Sequence, residues 1–243
     1  QQRRQVLKLL LLAAGAGFVG WNVQQHTSLG NVWADYKTGV GQRRNITLAD
    51  GSQIQLNTDT AIDVSFDPAQ RLIRLRSGEI LIQTGKLDDQ RPFFVESRDG
   101  RIQALGTRFS VHQLSGATRV GVLEDRVIVQ PADLSTAAIV LSAGEGADFD
   151  RRHIGLIHPF KSTEVAWTNG QLIVLNARLG NVIEELGRYR RGVLHCDDRA
   201  RDLRVSGTFR LDSTDAVLAN LQASLPINVR YFTRYWVSIS RNA

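Results

Sequence analysis

Methionine is absent from the 243 residues and cysteine occurs once. A ribosomal product starts with methionine, so this N-terminus is expected to be processed or cut from something longer. Cys196 cannot close an internal disulfide, and it reads as a small buried hydrophobe. The five histidines are scattered singly, with no pair at metal-ligand spacing. No G-x-S-x-G, H-E-x-x-H or P-loop sequence occurs, so the recognisable serine-hydrolase, zinc-protease and phosphate-cradling classes find no support. The expectation is a non-enzyme without cofactor or metal. His195-Cys196-Asp197-Asp198 collects ligand-type residues, but neighbours on a strand point to opposite faces and cannot close around one ion. Glu184-Glu185 and Asp88-Asp89 read as solvated surface. Aromatics make up only 7% and the cations are dispersed, although the net charge is +6. Direct nucleic-acid binding needs a clustered basic face or a stacking platform, and neither is visible. The cations are nearly all arginine, which suits pairing with carboxylates at interfaces.

What the chain does contain begins with an apolar run, Val6 to Val23, entered through Arg3, Arg4 and Lys8 and closed by Trp21. Its length sits near the lower limit of about 17 residues for a membrane-spanning helix. Basic residues precede it and none follow until Lys37, so the positive-inside rule places residues 1–5 in the cytoplasm as a stub and everything after the span across the membrane. Arg3, Arg4, Leu7 and Lys8 also resemble a twin-arginine export signal. Two competing readings attach to the same run. Ala14-Gly15-Ala16 has the pattern of a signal-peptide cleavage site. Gly15 to Gly20 spells a dinucleotide fingerprint, with Asp35 beyond it, but no βαβ context surrounds it. The small residues serve better as close-approach spacing on a membrane helix, Ala13 with Gly17 and Ala16 with Gly20.

A hydrophobic share of 42% and a charged share of 22% describe a folded chain, long enough for one large or two ordinary domains. After a polar linker over 24–31, residues 32–150 alternate apolar and polar with a period of two. Ile46 and Leu48 lead to a turn at Asp50-Gly51, and Ile54 and Leu56 return. Ile62, Val64 and Phe66 stop at Asp67-Pro68. Leu72, Ile73 and Leu75 are followed by an expected turn at Ser77-Gly78 before Ile80 to Gln83. Further strands follow at Phe93 to Val95, Ile102 to Ala104, Phe109 to Val111, Val120 to Val122 and Val127 to Val129. Short strands with frequent turn signals predict an antiparallel sandwich, barrel or solenoid. Residues 151–165 read as a linker. Over 166–243 the period switches. Strand Gln171 to Leu175 precedes a helix capped by Asn176 and carrying Leu179, Val182, Ile183 and Leu186 on one face. Strands Val193 to His195 and Leu203 to Phe209 come next, then a second helix capped by Asp212 or Ser213 and carrying Val217, Leu218 and Leu221. Strands Ile227 to Phe232 and Trp236 to Ile239 end the chain. The order βαβ-βαβ predicts a small two-layer α+β domain. The fold class expected is therefore mainly β plus α+β, behind a single N-terminal transmembrane helix. Tyr231, Phe232, Tyr235 and Trp236 gather aromatics near the terminal strand, and an open sheet edge there could be extended by a partner's strand.

Several stretches together resemble a known family, the FecR-type transmembrane sigma regulators of bacterial iron-uptake signalling. They are Tyr36-Lys37-Thr38-Gly39-Val40-Gly41, Leu48-Ala49-Asp50-Gly51-Ser52, Leu56-Asn57-Thr58-Asp59-Thr60, Arg71 to Leu75 with Ser77-Gly78-Glu79, Arg91-Pro92-Phe93, and Ala104 to Val111. Ala166-Trp167 with Gly170, Arg188-Tyr189 and Ser206-Gly207-Thr208-Phe209 look like the family's terminal domain, which is similar to the short N-terminal (STN) domain of secretins and TonB-dependent receptors. Glu124-Asp125-Arg126 departs from the pattern, since the family usually has a glycine in that turn. The 243 residues do not include the cytoplasmic helical domain with which members usually begin, and the missing methionine suggests truncation. The resemblance implies an anti-sigma factor anchored once in the bacterial inner membrane, its C-terminal region periplasmic. Implied partners are the signalling domain of a siderophore-loaded TonB-dependent outer-membrane receptor, an extracytoplasmic-function sigma factor held by the upstream domain, and periplasmic and intramembrane proteases. It also implies that Ala13, Ala14, Gly15, Ala16 and Gly17 make the membrane helix easy to unwind for cleavage, and that Tyr231, Phe232, Tyr235 and Trp236 meet the receptor. The alternative is a membrane-anchored periplasmic carbohydrate- or peptidoglycan-binding protein. It would need aromatics exposed on one sheet face, for which Trp33, Phe66, Phe93, Phe94, Phe109 and Phe149 are available.

Overall fold

The computed structural model describes residues 34–85 and 89–242. The predicted membrane span, the export signal Arg3, Arg4, Leu7 and Lys8, and the small-residue stretch Ala13 to Gly17 lie outside the described residues. Among the described residues no helix is long and apolar enough to cross a membrane.

The first lobe is a sandwich built on one long strand. Its strands are β1 (Tyr36–Lys37), β2 (Arg44–Thr47), β3 (Gln53–Leu56), β4 (Ala61–Phe66), β5 (Arg71–Gln83), β6 (Phe93–Glu96), β7 (Gly100–Ala104), β8 (Arg108–Gln113), β9 (Thr118–Glu124), β10 (Arg126–Pro131), β11 (Ile139–Ser142), β12 (Glu145–Phe149) and β13 (His158–Pro159). The first half of β5 pairs with β4 and β6, and its second half pairs with β3 and β8. One layer therefore runs from β1 through β4, β5, β6, β7 and β10 to β11, and the other from β2 through β3, β5, β8, β9 and β12 to β13. Ile62, Ile73, Phe93, Val95, Ile102 and Val127 of one layer meet Ile54, Leu56, Ile80, Ile82, Phe109 and Val120 of the other in a single core. The alternating pattern read from the sequence is this core face; of the predicted architectures, the sandwich is the one formed.

Two expectations are corrected. Ser77-Gly78 does not reverse the chain. It bends β5 where the strand leaves one layer for the other, because Gly78 sits at φ 84 directly against Thr60. A glycine next to a polar residue signals both a turn and a mid-strand bend, and the sequence does not separate them. The pairing is also not wholly antiparallel, since β5 and β6 run parallel. The turn with Asp in place of Gly is accommodated: Asp125 takes φ 55, a left-handed conformation that aspartate tolerates better than most residues.

The second lobe opens with a 3-10 segment, Ser162–Asn169, and continues β14 (Gln171–Arg178), α1 (Leu179–Gly187), β15 (Val193–Cys196), α2 (Asp198–Arg201), β16 (Arg204–Arg210), α3 (Thr214–Ser224), β17 (Ile227–Thr233) and β18 (Trp236–Arg241). β14 pairs with β16, and β18 lies between β15 and β17. Leu179, Val182, Ile183 and Leu186 of α1 and Val217, Leu218 and Leu221 of α3 are buried, as their helical spacing predicts. They share a core with Val205, Ile227, Val237 and Ile239. The predicted caps differ. Asn176 sits at φ 52 in a bulge of β14, its N–H bonded to Ser206 Oγ, and Arg178 occupies the N-cap position of α1. Ser213 stands at the N-cap of α3 without a side-chain capping bond, while Asp212 pairs with Arg210.

Replacing Gly78 by alanine is expected to destabilise strongly. A Cβ there would lie 2.2 Å from Thr60 Oγ1 and 2.5 Å from Thr60 Cα. With the positive φ added, the loss should be about 2 kcal/mol or more in urea unfolding. An unchanged unfolding midpoint would show that β5 does not need this bend.

Candidate functional site

The two cores meet across β5. Ile80 and Ile82 point into the sandwich, whereas Leu81 between them is buried in the second lobe's core together with Phe160. Beside this apolar contact lies a buried carboxylate. Glu79 is 6% exposed, and its Oε2 accepts from Asn57 Nδ2 at 2.8 Å and from Arg188 Nη2 at 2.8 Å. Asn57 Nδ2 also donates to the Tyr189 hydroxyl at 2.8 Å, and Thr58 Oγ1 donates to the Arg188 carbonyl at 2.9 Å. Arg188 Nη1 reaches Glu185 Oε1 at 2.7 Å. Gly41 packs against the Tyr189 carbonyl, and its N–H donates to Thr58 Oγ1. Arg43 Nη1 donates to the Trp167 carbonyl at 2.9 Å. The stretches Tyr36 to Gly41, Leu56 to Thr60, Ser77 to Glu79 and Arg188-Tyr189, far apart in sequence, thus converge on the junction of the lobes.

The charges are matched inside this junction. Burial works against the Arg188 cation, but Glu185 and Glu79 outweigh it and hold its pKa above the usual arginine range. Burial first, then the Glu185 carboxylate, pushes the Tyr189 phenol up, so it stays neutral and acts as a hydrogen-bonding group. His112 Nδ1 of β8 lies 4.0 Å from Glu79 Oε2. Burial, with Arg188 adding to it, pulls its pKa from 6.5 down to about 3.

A second polar cluster closes one end of the sandwich. Asp50, read as a turn residue, is 5% exposed and accepts from Arg71 Nη1 at 2.9 Å and from Ser52 Oγ at 2.7 Å. Arg71 also donates twice to the Arg91 carbonyl. Asp89, expected as solvated surface, is instead gripped by Arg91 at 2.6 Å, and that bond lowers its pKa to about 2. Glu185 is likewise engaged, by Arg188.

The predicted docking aromatics lie on the β17-β18 hairpin of the second lobe. Tyr231, Phe232, Tyr235 and Trp236 are 48%, 57%, 47% and 56% exposed, so they are surface and not core. Phe232 and Trp236 stack at 5.6 Å, and Arg234 lies over the Tyr235 ring at 4.6 Å. Val193, also exposed, is the register partner of Trp236 and widens the apolar patch. The hairpin is held from behind: Arg190 bonds Asp215 of α3 at 2.6 Å and the Arg234 carbonyl at 2.9 Å, while the Tyr231 hydroxyl donates to Asp215 at 3.2 Å. His195-Cys196-Asp197-Asp198 behaves as strand alternation requires. His195 is exposed, Cys196 is buried with its thiol pKa raised by desolvation, and Asp197 caps α2 through the Ala200 N–H. Among the described residues no cluster of His, Cys, Asp and Glu is arranged to hold a metal.

The chain is thus a β sandwich joined by a buried ion pair to an α+β lobe that exposes an aromatic hairpin. Residues 34–128, within its sandwich, match the family described as FecR protein. No curated protein matches the sequence. Two crystal structures of a candidate anti-sigma factor from Parabacteroides distasonis ATCC 8503, at 2.50 and 1.65 Å resolution, are similar to this chain with TM-scores of 0.69 and 0.70. Each is 24% identical, and the likeness covers 86% of this chain and 98% and 99% of those chains. At that identity it establishes a shared fold, both lobes included.

Two outcomes test the junction. Arg188→Ala leaves the buried Glu79 carboxylate without its cation, and the expected loss is about 3–5 kcal/mol. Combining Glu79→Leu with Arg188→Met should cost much less, and a double-mutant cycle in urea reads the difference. The second outcome follows from His112, whose folded-state pKa is depressed. Below pH 6.5 the unfolded chain takes up a proton that the folded chain refuses, so stability falls as pH drops from 6.5 towards 3. The slope is up to about 1.4 kcal/mol per pH unit. Comparing urea midpoints at pH 7 and pH 5 should show this loss in the native sequence and not in His112→Asn.

Proposed function

We propose that this chain is a sigma-factor regulator of the FecR type, which relays an extracytoplasmic signal by protein contact. In this reading a single helix over 6–23 anchors it in the bacterial inner membrane, and both described lobes work in the periplasm. The terminal lobe is a docking domain of the short secretin-like kind. Its partner is the signalling domain of a TonB-dependent outer-membrane receptor loaded with siderophore, and regulated proteolysis at Ala13 to Gly17 then releases a cytoplasmic piece bound to an extracytoplasmic-function sigma factor.

The observation that carries this reading is a FecR-matching sandwich joined to an α+β lobe in one fold, shared almost end to end with a candidate anti-sigma factor. The order of strands and helices in the terminal lobe supports its assignment as a docking domain. So does the exposure of four aromatics on a braced hairpin, since aromatic anchors carry much of the binding energy at protein interfaces. Of the aromatics the carbohydrate-binding alternative would use, Phe93, Phe109 and Phe149 are core residues, Phe66 packs on that core and the Arg101 guanidinium sits over Phe94, while Trp33 lies outside the described residues.

Pull-down of the full chain with purified receptor signalling domains tests the proposal. Trp236→Ala and Phe232→Ala should each weaken capture by about tenfold or more, the size of a central aromatic anchor. Leu175→Ala, an exposed apolar residue of β14, should not. Capture that survives deletion of residues 170–243 would show that the partner binds elsewhere.

A further inference from the structure

The β17 edge differs from the rest of the second lobe's surface. β17 pairs with β18 on one side and, among the described residues, with no strand on the other. In an antiparallel pair the backbone groups of alternate residues point away from the partner strand. Val229 is one of these, because its N–H donates to the Gln222 side chain of α3 at 2.7 Å. By the same alternation the N–H of Tyr231 points outward. Between α3 and this edge lies a groove of about 370 Å³ lined by Ala219, Gln222, Ala223, Val229 and Tyr231. Ala219 and Ala223 are one helical turn apart, and their small side chains leave the groove open. The Gln222 amide oxygen therefore stands where the carbonyl of a neighbouring strand would stand. One exposed side chain, Gln222, satisfies the outward Val229 N–H of this edge.

The surroundings are one-sided in charge. From Thr214 to Asn242 the chain has one acidic residue, Asp215, already paired with Arg190. The same stretch carries Arg230, Arg234 and Arg241, which are exposed and make no ion pair among the described residues. Arg230 is on the edge strand itself, and Arg234 is in the turn beside Phe232 and Trp236.

We propose that the receptor's signalling domain docks by strand addition. An extended segment rich in acidic side chains pairs with the free edge of β17, its backbone carbonyl displaces the Gln222 oxygen from the Val229 N–H, and its carboxylates meet Arg230 and Arg234. Main-chain bonds then supply the pairing, and the flanking aromatics and arginines supply the selectivity. The Gln222 amide acts as a plug that guards the edge against indiscriminate strand pairing. This proposal deepens the receptor reading and rests on it for the identity of the partner.

The test uses the full chain in mild detergent with two kinds of probe: purified receptor signalling domains, and a short synthetic peptide of alternating glutamate and valine. The acidic peptide should slow hydrogen exchange of the Val229 and Tyr231 amides, and a lysine-valine peptide of equal length should not. Methylating the backbone nitrogens along one edge of the acidic peptide should abolish binding, while methylating the other edge should not. Gln222→Ala removes the competing oxygen at an exposed position and should tighten binding of both acidic peptide and receptor domain by about two- to tenfold, the range of a hydrogen bond. Equal binding of acidic and basic peptides, or receptor-domain binding unchanged by Gln222→Ala and without protection of Val229, would overturn strand addition while leaving the receptor reading in place. Acidic-peptide binding with the expected protection, but no capture of any receptor domain, would support the edge as a strand acceptor and overturn the receptor as its source.

Discussion

The two lobes are bound to one another by a charge that neither could bury alone. A carboxylate removed from water costs several kcal/mol unless it is fully partnered. Glu79 obtains its partners from both sides, Asn57 from its own sandwich and Arg188 from the terminal lobe. Pulling the lobes apart would break the Arg188 bond to Glu79 and expose the apolar Leu81 contact to water. A surface ion pair would tolerate hinging, since its charges can return to water. This one resists it. The junction is also specific in a way that apolar packing is not, because Tyr189, Asn57, Thr58 and Gly41 must arrive in one geometry to satisfy each other's donors and acceptors.

This explains why the motif stretches contain so many polar residues at buried places. Asn57, Thr58, Thr60 and Glu79 are all under 7% exposed. Thr60 braces the bend of β5 from below: its hydroxyl donates to the Glu79 carbonyl at 3.1 Å and accepts from the Glu79 N–H at 3.0 Å. The bend at Gly78 in turn places Glu79 at the point where the strand changes layers. The geometry of the long shared strand and the position of the buried carboxylate are therefore one structural fact.

Periodicity made the strands and helices legible in the sequence. The alternation at Ile54, Leu56, Ile80 and Ile82, and the helical spacing at Leu179, Val182, Ile183 and Leu186, report which face is dry, and that is a local property. The junction was not legible in the same way. Glu79 and Arg188 are 109 positions apart, and Asn57 and Tyr189 are 132 apart. Nothing local marks a glutamate that will be buried by a helix end from another lobe. The run Ile80-Leu81-Ile82 did carry one hint: three consecutive apolar residues on a strand imply burial on both faces, hence a second body covering the sheet. The engagement of Asp50 within its correctly read turn, and that of Asp89, were hidden for the same reason. Short polar stretches at strand ends look like solvated turns until a distant arginine is placed beside them. Exposure of the hairpin aromatics was equally hidden, because a strand of aromatics packs a core or forms a patch depending only on what covers it.

The hairpin and the junction are also closer than their separation in the fold suggests. Three consecutive residues after α1 serve both. Arg188 holds Glu79, Tyr189 holds Asn57, and Arg190 holds Asp215 and the Arg234 carbonyl at the tip of the hairpin. These residues have little freedom to move independently, since Arg188 and Tyr189 are pinned by the buried cluster and Arg190 is 10% exposed in its side chain. The Arg190 side chain leaves one buried nitrogen, Nε, without a partner, a cost tolerated where the other two nitrogens are each well bonded. A partner seated on the hairpin would press on Arg234 and Asp215, and both are bonded to a residue whose backbone neighbours carry the lobe junction. The aromatic hairpin of the terminal lobe and the attachment of that lobe to the sandwich thus share one short segment, Arg188 to Arg190.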